Sequence, residues 1–226
     1  ALVLTLIFVP FSMKTFILLL STFGFGAIGF IDDFRKLVLK RSLGLTAKQK
    51  IILQIVVSFI IAVLCFIYQN DTITKLWIPF TDIRLNVSIL GIPIMMFIMI
   101  GTSNAVNLTD GLDGLSSQVS VPVFLTLIIL SQNIEDKLFA SIMLGGVLGF
   151  LFYNSNPASV FMGDTGSMAI GGAVVGLAIN MGMPIFLIIL GGVYVAESLS
   201  VIIQVASYKF RNKKRIFLMT PIHHHY

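Results

Sequence analysis

Apolar runs almost free of charge recur near residues 15–31, 51–68, 89–107, 116–131, 138–153, 166–182 and 185–206, with short polar stretches between them. Runs of this length exceed what a buried strand needs and fit helices that cross a bilayer. Several hold only 16 or 17 residues, the short end of the spanning range, and contain the Gly and Pro that membrane helices tolerate. Seven crossings are expected, with a partial one at 1–9 that is too short to span. One connection departs from this pattern. Between Gln69 and Leu90, Ile83, Leu85, Val87 and Ile89 alternate with Arg84, Asn86 and Ser88. A period of two predicts a short strand or hairpin lying on one membrane surface, with Tyr68 and Trp77 as interface anchors.

Composition agrees. The 226 residues are 57% hydrophobic and 11% charged, whereas a soluble domain carries about 25% charged residues. The fold class expected is all-α, a polytopic transmembrane helix bundle. The only cysteine, Cys65, excludes an internal disulfide framework. The chain opens on Ala1 and its first apolar run is short, so a segment of a longer protein is expected. No charged leader or cleavage site indicates a signal peptide.

The 15 Lys and Arg residues fix an orientation. Arg35, Lys36, Lys40, Arg41, Lys48 and Lys50 follow the first full run, and Lys209, Arg211, Lys213, Lys214 and Arg215 follow the last. Strict alternation puts these eleven on one side and Lys14, Lys75, Arg84 and Lys137 on the other, and the basic side is cytoplasmic. Asp32, Asp33, Asp110, Asp113 and Asp164 fall on that same cytoplasmic side. Asp71, Asp82, Glu135 and Asp136 fall outside and read as ordinary loop charges. Glu197 is left within the membrane, where it needs a partner or a wet groove.

The inner-side acids sit in distinctive surroundings. Asp32 and Asp33 follow directly on a crossing; neighbours on a helix diverge by about 100°, so one can ligate an ion while the other orients a group or accepts a proton. Asn107, Asp110 and Asp113 recur at a spacing of three, either on one helical face or around a break at Gly111 and Gly114. Such an oxygen-rich cluster calls for a cation or a cationic substrate. Asp164 lies at the start of a crossing, as a helix cap or a metal ligand, and Gly163 and Gly166 beside it would let a phosphate approach the backbone. Phe161 in the same polar loop could stack on a base or anchor at the interface. Pro221-Ile222-His223-His224-His225-Tyr226 follows a basic stretch; its flanks match a purification tag poorly, and histidines there can donate to phosphate oxygens. Carboxylates for a hard divalent ion, cations for phosphate and Gly-rich turns on one surface are the parts of a phosphoryl-transfer site.

Four stretches carry a resemblance: Gly29 to Asp33, Asn104 to Gly114, Phe161 to Asp164, and Pro221 to Tyr226. In this order and covering most of the chain, they resemble the phospho-N-acetylmuramoyl-pentapeptide transferase family of polyprenyl-phosphate phosphosugar transferases. The resemblance implies ten crossings in the full protein, about eight of them represented here, so the chain would be one transferase domain lacking the first and last crossings. It implies a homodimer in the bacterial plasma membrane, active at the cytoplasmic face and dependent on Mg²⁺. The reaction would join UDP-N-acetylmuramoyl-pentapeptide to undecaprenyl phosphate, a membrane lipid, giving lipid I and UMP. No nucleic-acid partner is implied.

Residue by residue, the resemblance makes Asp164 the Mg²⁺ ligand and Asp32, Asp33, Asp164 and His223 the catalytic set. Substrate contacts would come from Lys40, Lys48, Asn107, Asp110 and Asp113, from Asn154 and Phe161 on the uridine side, and from Gln204, His224 and His225. The acceptor phosphate is largely dianionic at neutral pH, its second pKa being near 6, so direct attack is favoured over an aspartyl intermediate. Two alternatives stay open from the residues: a sister transferase for another UDP-sugar, and a cation-coupled transporter, whose ion sites would lie nearer the bilayer midplane.

Overall fold

The computed structural model describes residues 1–38, 44–211 and 213–225. Among them the chain folds almost wholly as helices: α1 (Leu2–Phe8), α2 (Met13–Leu37), α3 (Ala47–Tyr68), α4 (Asn70–Thr74), α5 (Gly91–Thr109), α6 (Leu115–Leu130), α7 (Ile134–Asn154), α8 (Gly163–Asn180), α9 (Leu187–Leu190) and α10 (Gly192–Phe210). Each expected apolar run has its helix. Four, spanning Met13–Leu37, Ala47–Tyr68, Ser88–Thr109 and Ile134–Asn154, are long and apolar enough to cross a membrane unbroken. The large apolar side chains left exposed, such as Phe23, Phe97, Ile129 and Phe152, are those a bilayer would cover.

The hairpin is present but shorter than the alternation suggests. Strand β1 (Lys75–Trp77) pairs antiparallel with β2 (Arg84–Asn86), Leu76 opposite Leu85. Trp77 donates its indole N–H to the Thr81 carbonyl at 2.8 Å and packs near Phe186.

Three expectations need correction. The pair Asp32-Asp33 follows the first apolar run, but the helix does not end there: nothing in residues 29–37 breaks it, and α2 runs on as a polar extension that carries both acids. The last run is not one straight crossing: Pro184–Leu190 and Gly192–Phe210 meet at 86°, with the break at Gly191. Asp136 is no ordinary loop charge. It is fully buried, accepting from Asn180 Nδ2 and Asn133 Nδ2, both at 3.2 Å. Asn180 also donates to the Lys14 carbonyl and accepts from Gln69, so this knot, at the end of the bundle away from Asp164, ties the ends of α2, α3, α7 and α8. A buried carboxylate is tolerated where hydrogen bonds replace its water.

Helix α8 is the axis of the bundle. It packs most extensively on α2 and next on α5, and from Met168 to Asn180 every residue but Ala169 is buried. Small residues permit the approach: Gly172 takes the Ser21 hydroxyl on its carbonyl at 2.7 Å, and Gly171 lies against Ser103. This packing brings the start of α8 to the end of α2.

Candidate functional site

The last turns of α2 and the first turn of α8 meet, and Gly29 and Gly163 make that meeting possible. A Cβ on Gly29 would overlap the Asp164 carbonyl oxygen; one on Gly163, whose φ is 65°, would stand 2.8 Å from Asp33 Oδ2. Carboxylate oxygens of Asp32, Asp33 and Asp164 consequently lie within 4.8 Å of one another.

The three carboxylates are held differently. Asp32, 3% exposed, accepts the Leu45 amide at 2.6 Å and pairs with Lys36 one turn on. Asp33 faces α8: Oδ2 accepts the Thr165 amide at 2.8 Å and the Thr165 hydroxyl at 2.6 Å, and Oδ1 accepts the Asp164 amide at 3.3 Å. The start of α8 is therefore capped by α2, and the helix end expected to receive an anionic ligand is occupied by Asp33. Asp164 does not cap its own helix. Its Oδ1 accepts from Asn107 at 2.9 Å and its Oδ2 from Lys50 at 3.0 Å and Lys36 at 3.3 Å.

Lys36, Lys50 and Thr165 are site residues that sequence reasoning missed. Lys36 follows Asp32 by four residues, the spacing of a helical ion pair. Lys50 is presented by a capping box at the start of α3, where Thr46 and Gln49 satisfy each other's amides. Its cue was a cation one turn into an apolar helix. It also reaches Asn107 Oδ1 at 3.3 Å.

Beside the carboxylates lies a cleft of about 300 Å³ lined by Asn107, Asp110, Asp113, Asn154, Phe161 and Asp164, among others. The chain breaks at the Asp110–Gly114 turn, so of the two geometries left open the broken one holds. Asp113 accepts the Ala158 amide at 3.0 Å. Asn154, buried, accepts from Gly114 and donates to the Val160 carbonyl, which fixes the cleft wall. Phe161 is 75% exposed at the rim. Burial pushes the Asp110 carboxyl up to about 7, with repulsion from Asp164 and Asp33 adding to it.

The terminal histidines approach from the other side. The His223 ring lies against Gly111, its side chain nearly buried, with Nδ1 3.0 Å from Glu197 Oε2. Glu197 thereby has its partner. His224 is exposed and stacks edge-on with His223; His225 Nδ1 accepts the Leu218 amide at 3.1 Å. Gln204 has both ends of its amide on the backbone of Ile216 and Phe217 and so shapes the terminal segment. Lys48 is exposed and joins no carboxylate among the described residues. Lys40 lies outside the described residues.

The donor set suits a hard divalent ion: three carboxylates, an amide carbonyl on Asn107, and no sulfur. These residues could hold a hard divalent cation, and their charge is offset here by the ammonium groups of Lys36 and Lys50.

Comparison with known proteins accords with this geometry. The profile of glycosyl transferase family 4 matches residues 15–182. A phospho-N-acetylmuramoyl-pentapeptide-transferase of Clostridioides difficile is 54% identical over 210 residues, 90% of this chain and 64% of its own length. Namesakes from Halalkalibacterium halodurans and a Geobacillus species are 49% and 46% identical, covering 96% and 100% of this chain. The chain spans 64% to 69% of the length of these relatives, just under two thirds of the first two.

Proposed function

Since the chain belongs to glycosyl transferase family 4, in the branch of the phospho-N-acetylmuramoyl-pentapeptide transferases, we propose that its full-length protein transfers phospho-N-acetylmuramoyl-pentapeptide from UDP to undecaprenyl phosphate. The products are lipid I and UMP. One observation carries the reading: the convergence of Asp32, Asp33 and Asp164 beside a polar cleft. The eleven-to-four split of basic residues supports a cytoplasmic location for this face. The single transferase domain and the homodimer belong to the same proposal.

Mg²⁺, held by Asp164 with Asp32 nearby, would supply charge neutralisation to the donor diphosphate. The chain's own residues do the rest. An oxygen of the lipid phosphate attacks the sugar-linked phosphorus, the bond to the bridging oxygen breaks, and UMP leaves with the electron pair. Two anions must meet for this, so the ammonium groups of Lys36 and Lys50 lower the barrier by offsetting charge in a site only partly open to water. Asn107 orients Asp164. Asp33 is committed to the start of α8 through three hydrogen bonds, which favours direct attack by the lipid phosphate over a phosphorylated Asp33. Phe161 stacks on the uracil, while Asn154, Asp110 and Asp113 shape the pocket for the nucleoside. His223 borders the cleft at Gly111 and donates to phosphate, with His224, His225, Lys40 and Lys48 as outer contacts and Gln204 holding the terminal segment.

The test is an assay of full-length protein with undecaprenyl phosphate and either UDP-N-acetylmuramoyl-pentapeptide or UDP-N-acetylglucosamine. Mg²⁺-dependent UMP release with the first donor alone is the expected result. Turnover of the second alone would reassign the protein to a sister transferase.

A further inference from the structure

The cations at the end of α10 are not used by the site described above. Lys209, Arg211, Lys213, Lys214 and Arg215 are all exposed, and residues 198–226 contain no Asp or Glu. Among the described residues none of the five meets a carboxylate. The other basic cluster on this face behaves differently: Lys36 and Lys50 are paired with Asp32 and Asp164, and Arg35 donates to Gln49.

These free cations stand on a fixed platform. Lys213 adopts φ 63° and its amide donates to the Tyr208 carbonyl at 3.1 Å, which reverses the chain at the helix end. The Ser207 hydroxyl then holds the Lys214 carbonyl at 2.9 Å, and Gln204 clamps residues 216–217 along α10. Apolar groups flank the turn on the outside: Phe210 is 85% exposed, Leu218 74% and Met219 56%. A surface that pairs unneutralised cations with exposed apolar side chains beside a crossing matches a lipid with an anionic headgroup and acyl chains.

We propose that Lys209, Arg211, Lys213, Lys214 and Arg215, with Phe210 and Leu218, form a binding site for anionic phospholipid headgroups in the leaflet on the acidic-cluster side of the membrane. Only the naming of that leaflet as cytoplasmic rests on the function proposed above. None of these residues lines the cleft or pairs with Asp164, which the acceptor's reacting phosphate must reach. Because the platform is continuous with the segment carrying His223, a bound headgroup also steadies the strap that borders the cleft.

The experiment uses full-length protein in detergent, titrated with palmitoyl-oleoyl phosphatidylglycerol, the corresponding phosphatidylcholine, or undecaprenyl phosphate, with bound lipid counted by native mass spectrometry. Phosphatidylglycerol binds at least tenfold more tightly than phosphatidylcholine. A Lys213→Gln/Lys214→Gln/Arg215→Gln variant loses about 100-fold of that affinity, since each cation near an anionic surface contributes on the order of fivefold. Its undecaprenyl phosphate binding stays within twofold of the parent, and a Lys213→Arg/Lys214→Arg variant keeps phosphatidylglycerol. Equal binding of the two phospholipids, no effect of the triple variant, or loss in the Arg variant overturns the proposal. Parallel loss of undecaprenyl phosphate overturns it too, by giving the cations to the acceptor.

Discussion

Asp33 on α2 caps α8 through Thr165, accepting both its amide and its hydroxyl within 2.8 Å. A carboxylate from one helix thus satisfies the free N–H groups of another and sets where the neighbouring Asp164 stands. Thr165→Val keeps the amide contact and deletes the hydroxyl. A hydrogen bond to a charged group is worth about 2 kcal/mol, so the variant's thermal midpoint in detergent falls by several degrees and its divalent-cation affinity drops with it. Gly29→Ala is more severe, because the added methyl collides with backbone rather than a movable side chain. Its expected cost is at the upper end of overpacking, about 3 kcal/mol. Unchanged melting in both variants would remove this junction from the account.

Lys50 competes with any cation for Asp164 Oδ2. Lys50→Met therefore moves two measurements in opposite directions. Mn²⁺ binding tightens by roughly fivefold, the equivalent of about 1 kcal/mol for a partly exposed pair, while UMP release slows because a phosphate partner is gone. Weaker Mn²⁺ binding would contradict the arrangement.

Asp110 sets a pH dependence. Its carboxyl is raised to about 7 in the fold, by burial first and by the Asp164 and Asp33 charges second. An acid with a raised folded pKa contributes stability that is complete below its unfolded value, near 3.9, and lost as pH rises through about 7. Asp110→Asn should therefore melt higher than the parent at pH 8, and this advantage should vanish toward pH 4. Saturating Mg²⁺ narrows the gap at pH 8 by offsetting the neighbouring charges. A difference that is constant with pH would show that Asp110 titrates normally.

Glu197 and His223 form the contact that holds the terminal strap to α10. Glu197→Gln and His223→Asn each destabilise the protein, and the double variant is little worse than either. The coupling expected from a double-mutant cycle is about 1–3 kcal/mol. Strict additivity would mean that the two do not act as a pair.

How much of this was readable beforehand follows from which signals are local. Apolar runs give helices because each must satisfy its own backbone in lipid, and the side of the membrane on which Asp32, Asp33 and Asp164 lie follows from counting crossings. Their meeting depends on α2 packing on α8 through Gly29 and Gly163, a contact between residues more than 130 positions apart that no periodicity encodes. Asp136 was misread because a loop-end carboxylate looks the same whether it faces water or Asn180. The 86° break falls at Gly191, where two consecutive glycines let a helix bend without fixing that it does. Lys36 and Lys50 were counted as topogenic charge, and only the fold shows them turned inward to the carboxylates.

On the proposed function, Asp164 with Asp32 nearby holds a divalent cation, and Asp33 sets where Asp164 stands. Electron paramagnetic resonance of Mn²⁺ titrated into purified full-length protein and its Asp164→Asn variant measures this directly. The account predicts one saturable Mn²⁺ per chain, displaced by Mg²⁺ and lost in the variant, with helicity unchanged and Mg²⁺-dependent UMP release abolished. Stoichiometric, Mg²⁺-displaceable binding that survives Asp164→Asn would contradict it.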